Sequence, residues 1–173
     1  MAECRPIGGS DVRVDSVAKV TGQTRYVEDI VMPGLLHAVV LRSPHHHARL
    51  LALNTDRAAQ VPGVARIITA ADVPGLNGLD GYSRDEPVLT PVGDTLRQKG
   101  APIALVVAES RQLAQAAVSE IKVEYEILPH AFDADEALKP DALPIYPNGN
   151  VLSTYSVKHG DLEAAFAASD IIL

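Results

Sequence analysis

Ile103-Ala104-Leu105-Val106-Val107-Ala108-Glu109-Ser110-Arg111-Gln112-Leu113-Ala114-Gln115-Ala116-Ala117-Val118-Ser119-Glu120-Ile121-Lys122-Val123-Glu124-Tyr125-Glu126-Ile127 changes its hydrophobic period twice. The opening apolar run, Ile103 to Ala108, predicts a strand buried on both faces. Ser110 follows in the position of a helix N-cap, where its hydroxyl can accept a bond from a free backbone N–H of the first turn. Leu113, Ala114, Ala117, Val118 and Ile121 then fall on one face at helical spacing. From Ile121 the period drops to two. Ile121, Val123, Tyr125 and Ile127 alternate with Lys122, Glu124 and Glu126, which predicts a strand with one core face and one wet face. Strand, helix and strand within about 25 residues make a compact crossover unit.

Upstream, Leu35 to Leu41 predicts another buried strand, stopped by Ser43-Pro44 because proline has no N–H for a ladder. A strand is expected from Arg49 to Asp56, then a helical turn from Arg57 to Gln60 that Pro62-Gly63 breaks. Val64 to Ile68 reads as a third strand, and Thr69 caps a short helix ended by Pro74-Gly75. Residues 74–100 form a long glycine-rich connection, and loops of that length are usually functional or mobile. Residues 1–33 are polar and turn-rich, an arm expected to lie over the core.

Downstream, a short helix is expected from Asp133 to Leu138, with Asp133, Asp135 and Glu136 as first-turn charges. Asn148-Gly149-Asn150 is a turn signal, and Val151 to Val157 predicts a strand. Gly160-Asp161 opens a helix with Leu162, Ala165 and Phe166 on one face. Ile171-Ile172-Leu173 then begins a strand at which the sequence stops, the pattern expected of a piece cut from something longer.

At 173 residues and 47% hydrophobic, the chain can bury one core. Its net charge of −7, with 15 scattered Lys and Arg and no Trp, argues against a nucleic-acid partner. No apolar run approaches the roughly 20 residues of a membrane span. The start, Met1 to Pro6, carries no apolar signal core, and the single cysteine, Cys4, excludes an internal disulfide or a cysteine-based metal knuckle. Cytoplasm is the expected compartment.

His45-His46-His47 is the first candidate for chemistry. Adjacent side chains on a strand face opposite sides, so only His45 and His47 can share a face, and no further ligand is marked nearby. The histidines are therefore read as structural or solvated. Asp85-Glu86 is a second candidate, an adjacent pair of acids in the long connection, more simply read as solvated. No Gly-x-Ser-x-Gly elbow, phosphate loop or His-Glu-x-x-His occurs. The residues by themselves describe a domain of helices and strands without an evident active site.

Several strings, taken in order, resemble one known domain. They are Arg13-Val14-Asp15, Lys19-Val20-Thr21-Gly22 and Tyr26-Val27-Glu28-Asp29-Ile30; then Met32-Pro33-Gly34-Leu35-Leu36-His37-Ala38 and Arg42-Ser43-Pro44-His45-His46-His47-Ala48. Pro62-Gly63-Val64, Thr69 to Gly75, Asp85-Glu86-Pro87-Val88-Leu89, Lys99 to Glu109 and Val123 to Pro129 continue the series to Ser169-Asp170. In this order they resemble the N-terminal α/β-hammerhead domain of the molybdenum-binding large subunit in the xanthine dehydrogenase/aldehyde oxidase family. The resemblance implies an α+β fold with a mixed sheet and short helices. It also implies a domain at 1–158 including the arm, and at 159–173 the start of the link to the molybdenum-binding domains.

The resemblance implies a parent oxidoreductase that hydroxylates a heterocycle or aldehyde, with water as the oxygen source. Its molybdenum is held by a pterin cofactor, and iron–sulfur clusters and FAD sit on partner domains or subunits. The family's catalytic, cofactor-binding and metal-binding residues lie beyond this domain, so none is carried over and no cofactor is expected on these residues alone. The expected partners are the molybdenum-binding domains of the same subunit, the iron–sulfur and FAD subunits, and a second copy in a homodimer. Tyr82, Ser83 and Arg84 are expected to wall the substrate funnel, with Asp85 and Glu86 holding that loop and Arg84 favouring an anionic substrate. Two alternatives stand beside this reading: a free-standing small-ligand-binding module, and a small hydrolase or metal enzyme using His45 to His47.

Overall fold

The structure is a computed structural model, and it describes residues 12–78 and 86–172. Two three-stranded sheets form its body. One has the order β1 (His37–Arg42), β5 (Pro102–Ala108), β3 (Val64–Ile68); the other runs β4 (Thr95–Leu96), β2 (Ala48–Asn54), β6 (Lys122–Ile127). All four strand pairings are antiparallel. With the short helices around them this is an α+β fold.

β5 is central because its sequence allows nothing else. Ile103, Ala104, Val106 and Ala108 are fully buried, which requires neighbours in the sheet and protein over the faces. Val106 is paired with Val39 on one side and Ile67 on the other. The chain then enters α3 (Arg111–Glu120), whose first turn is capped where Leu113 N–H donates to Ser110 Oγ at 3.3 Å. Ala114 and Ala117 present no bulk, so α3 lies close against β1 and β5. α2 (Asp56–Ala59) packs beside it through the buried Ala58.

The core has two lobes. Ala58, Val106, Ala108, Ala114, Ala117 and Ile121 make one; Ala48, Leu50, Leu96, Ala101 and Ile103 make the other. Leu41, Leu53 and Val123 touch both lobes and join them into one apolar interior.

Several expectations need correcting. The strand expected at Leu35 to Leu41 starts at His37, and as an edge strand it is only half-buried. β6 does not return to the sheet of β5; it pairs with β2, so α3 carries the chain between sheets instead of closing a crossover within one. Ile127 keeps the alternation yet is 64% exposed, because it pairs with Ala48 at the margin of the second sheet. The arm at 12–36, including α1 (Ser16–Val20), does not lie over the core: none of its residues is buried. Val151 to Val157 forms no strand and is exposed throughout, and Ile171-Ile172 likewise pairs with nothing among the described residues. The connection after Pro74 is anchored where it is described, with Thr90 N–H bonded to the Pro102 carbonyl at 2.8 Å and Leu89 and Thr90 buried.

Gly63 adopts φ +85°, and a Cβ there would stand 2.6 Å from Leu113 Cδ1 on α3. Gly63→Ala is therefore expected to destabilise the chain by more than about 1 kcal/mol, through backbone strain and displacement of Leu113. Ile103→Ala should lose about 2–5 kcal/mol as a cavity mutant, whereas Ile127→Ala should stay within about 0.5 kcal/mol. Urea unfolding midpoints of the three variants check both the ranking and the placement of the core.

Candidate functional site

After β1 the chain turns sharply at Ser43-Pro44, and the buried Ser43 hydroxyl holds the turn by accepting from His45 N–H at 3.1 Å. The three histidines then go to three different partners. His45 meets Tyr125 edge-on with ring centroids 4.8 Å apart. His46 stacks on His130 at 5.2 Å, and Phe132 stands edge-on to both. His47 is buried, its Nδ1–H donating to the Pro129 carbonyl at 2.6 Å. These contacts tie the turn to the chain leaving β6. They explain the histidine run as scaffold, and no group of three or more potential metal ligands converges among the described residues. His130 and Phe132 carried no signal in the sequence, because their role comes from a contact across more than eighty residues of chain.

Of the acids in the connection, Glu86 is described; Tyr82, Ser83, Arg84 and Asp85 lie outside the described residues. Glu86 Oε1 accepts from the Tyr146 hydroxyl at 3.0 Å, and Arg97 lies over the Tyr146 ring at 5.4 Å. Arg97 Nε donates to the Ile145 carbonyl at 3.3 Å and Nη1 to the Thr95 carbonyl at 3.2 Å, so its planar head spans two segments. Asn150 fixes the Tyr146 segment in turn: its side chain accepts from Ile145 N–H at 2.7 Å and donates to the carbonyls of Ala137 and Leu143. Asn77 closes the other end, donating to the Leu89 carbonyl at 2.7 Å and accepting from Leu89 N–H at 3.1 Å. Both stems of the 79–85 segment are thus tied down by side chains, and neither Asn77 nor Tyr146 was singled out from the sequence.

Two hollows flank Pro87-Val88. The smaller, of about 220 Å³, lies beside Glu86, Thr95, Arg97, Gln98 and Tyr146. The larger, of about 520 Å³, is lined by Val40, Ile68, Val73, Val88 and Leu105, with Arg42 and Arg66 at its rim. The Asp72 carboxyl is held below its ordinary range by the backbone N–H of Thr69, then by the Thr69 hydroxyl and Arg66. Burial pushes the Tyr125 hydroxyl up. Both shifts move away from neutral pH, where a general acid or base would need to titrate.

The family model described as aldehyde oxidase and xanthine dehydrogenase, a/b hammerhead domain, matches residues 21–129. The xanthine dehydrogenase molybdenum-binding subunit of Escherichia coli O157:H7 is 34% identical over 167 residues, which cover 92% of this chain and 22% of that protein. The nicotinate dehydrogenase large molybdopterin subunit of Eubacterium barkeri is 35% identical, across 96% of this chain and 39% of that protein. Among solved structures, quinoline 2-oxidoreductase from Pseudomonas putida 86 superposes with a TM-score of 0.76 at 35% identity, covering 94% of this chain and 22% of that one. Aldehyde oxidoreductase from Desulfovibrio gigas gives 0.74 at 32% identity, covering 92% of this chain and 19% of that one. The chain spans between 19% and 39% of the length of these four proteins.

Tyr146→Phe keeps the ring under Arg97 but removes the bond to Glu86, and should cost about 0.5–1.5 kcal/mol in urea unfolding. Asp72 should titrate below its ordinary value of 3.8 by carboxyl NMR. Because folding depresses that pKa, its contribution to stability is present above the unfolded value and is lost as pH falls through the folded one. Thr69→Val, which deletes the hydroxyl donor but keeps the backbone N–H, should raise the Asp72 pKa; an unchanged titration would remove the hydroxyl as a cause.

Proposed function

Because the chain belongs to the aldehyde oxidase and xanthine dehydrogenase family through its hammerhead domain, we propose that it is the front part of a molybdenum-dependent hydroxylase large subunit. In this reading it acts by packing against the cofactor-binding domains, not by chemistry of its own. The observation that carries the proposal is exposed surface. Large apolar side chains are exposed in two flanks of the body. Val12, Val14, Val20, Val27 and Val31 are exposed before the body, and Leu152, Tyr155, Val157, Leu162 and Ile171 after it. Such surface is normally covered by further protein.

The relatives named as molybdopterin and molybdenum-binding subunits support a parent that binds molybdenum through a pterin. The parent would hydroxylate a heterocycle or an aldehyde with oxygen from water. Electrons would leave by iron–sulfur clusters and FAD on partner domains or subunits. The described residues offer no converging ligand set for such a group, so no reaction step is assigned to them. The unit proper is assigned to 1–158 and the start of the link to 159–173. A cytoplasmic location and a homodimer through the uncovered surface complete the reading. No helix among the described residues is long and apolar enough to cross a membrane.

Within the parent, Tyr82, Ser83 and Arg84 wall the substrate funnel, and Asp85 and Glu86 hold the loop. The tie from Glu86 to Tyr146 supports that placement, since it fixes the residue at which the loop ends. Two measurements test the proposal. The purified parent subunit should contain stoichiometric molybdenum by mass spectrometry and oxidise an aldehyde or N-heterocycle with an artificial electron acceptor; a subunit without either overturns it. Tyr82→Ala and Arg84→Ala in that subunit should raise KM several-fold with an unchanged Tm, and unchanged kinetics would remove the funnel assignment.

A further inference from the structure

The open face of the sheet β1–β5–β3 is a distinct feature. α3 covers only the opposite face. On the open side Val40, Leu105 and Ile68 are paired across the three strands and form an aliphatic floor. Val73 and Val88 rise beside it to leave a hollow of about 520 Å³. That floor offers no hydrogen-bonding side chain to a polar occupant, and only apolar groups gain by entering it.

The rim selects further. Arg66 donates to Asp72 at 3.2 Å, and Arg42 donates to the Gly100 carbonyl at 2.8 Å. Each guanidinium has five N–H donors, so both retain capacity for a carboxylate. With Asp72 counted, the rim is positive in a chain whose net charge is −7. We propose that this hollow is the seat of an apolar, acid-flanked segment belonging to the part of the subunit outside this chain, whose aliphatic or aromatic side chain fills the floor while its carboxylate meets Arg42 and Arg66. The inference rests on the reading of the chain as the front of a longer subunit. The size of the relatives favours that occupant: the Escherichia coli relative matches 92% of this chain with only 22% of its own length. A covalently connected remainder is presented at a high effective concentration.

Val88, 43% exposed on the wall, reports on the seat without disturbing the core. The test labels the cysteine introduced by Val88→Cys with a maleimide, in a Cys4→Ser background, in chain 1–173 and in the parent subunit. The expected rate in the parent is about tenfold lower than in the short chain, limited by local opening of a covered site. Val88→Arg should lower the Tm of the parent and leave that of the short chain unchanged. Equal labelling rates, in a parent that does contain molybdenum, overturn the inference and leave the proposed function standing. A reading frame that ends at Leu173, with no further polypeptide co-purifying, overturns both. Labelling of the short chain that slows with its own concentration, or only before small molecules are stripped off, assigns the hollow to a second copy or a metabolite and also overturns the inference.

Discussion

Everything in this fold hangs on the burial of β5 between two neighbours and beneath α3. A strand with Ile103, Ala104, Val106 and Ala108 fully buried can exist only where protein closes around those residues, and each fully buried aliphatic side chain contributes about 1.5–3 kcal/mol. Yet the closure is thin. Among the described residues, seven of the thirteen buried apolar residues are alanines: Ala48, Ala58, Ala101, Ala104, Ala108, Ala114 and Ala117. Alanine allows a helix to sit close to a sheet but adds little area. A core built this way gains shape more than hydrophobic energy, and depends on how its elements pack at long range.

That dependence explains why some elements were legible in the sequence and others were not. The run from Ile103 to Ile127 was readable because each period matches one geometry, and the cap at Ser110 and the switch at Ile121 fall where expected. Which sheet β6 would join was not readable. Pairing partners are set by packing at long range, and Val123 serves both core lobes equally well by pattern. Val151 to Val157 has the composition of a strand but no partner among the described residues, so propensity had nothing to act on.

The site was less legible still. The histidine run drew attention by composition, whereas its contacts lie with Tyr125, Pro129, His130 and Phe132, of which the last two are marked by no local motif. Asn77, Arg97 and Tyr146 escaped notice for a related reason, and Asn150 was marked only as part of a turn. Each is an ordinary residue made important by a bond to a carbonyl, an amide or a ring far along the chain. Side-chain-to-backbone ties of this kind leave no periodic trace.

A domain can influence chemistry by what it holds still. The 79–85 segment leaves Asn77 and Glu86, and both stems are fixed by hydrogen bonds near 3 Å to segments that are themselves anchored. Rigid stems reduce the entropy that a binding surface on the intervening loop must lose when a ligand is met. The aliphatic hollow lies on the other side of the same Pro87-Val88 junction. Covering it would add a third constraint to the chain around Pro87-Val88. Docking of the domain and positioning of the loop would then be one physical event, because the residues that take up the load of the first also bound the second.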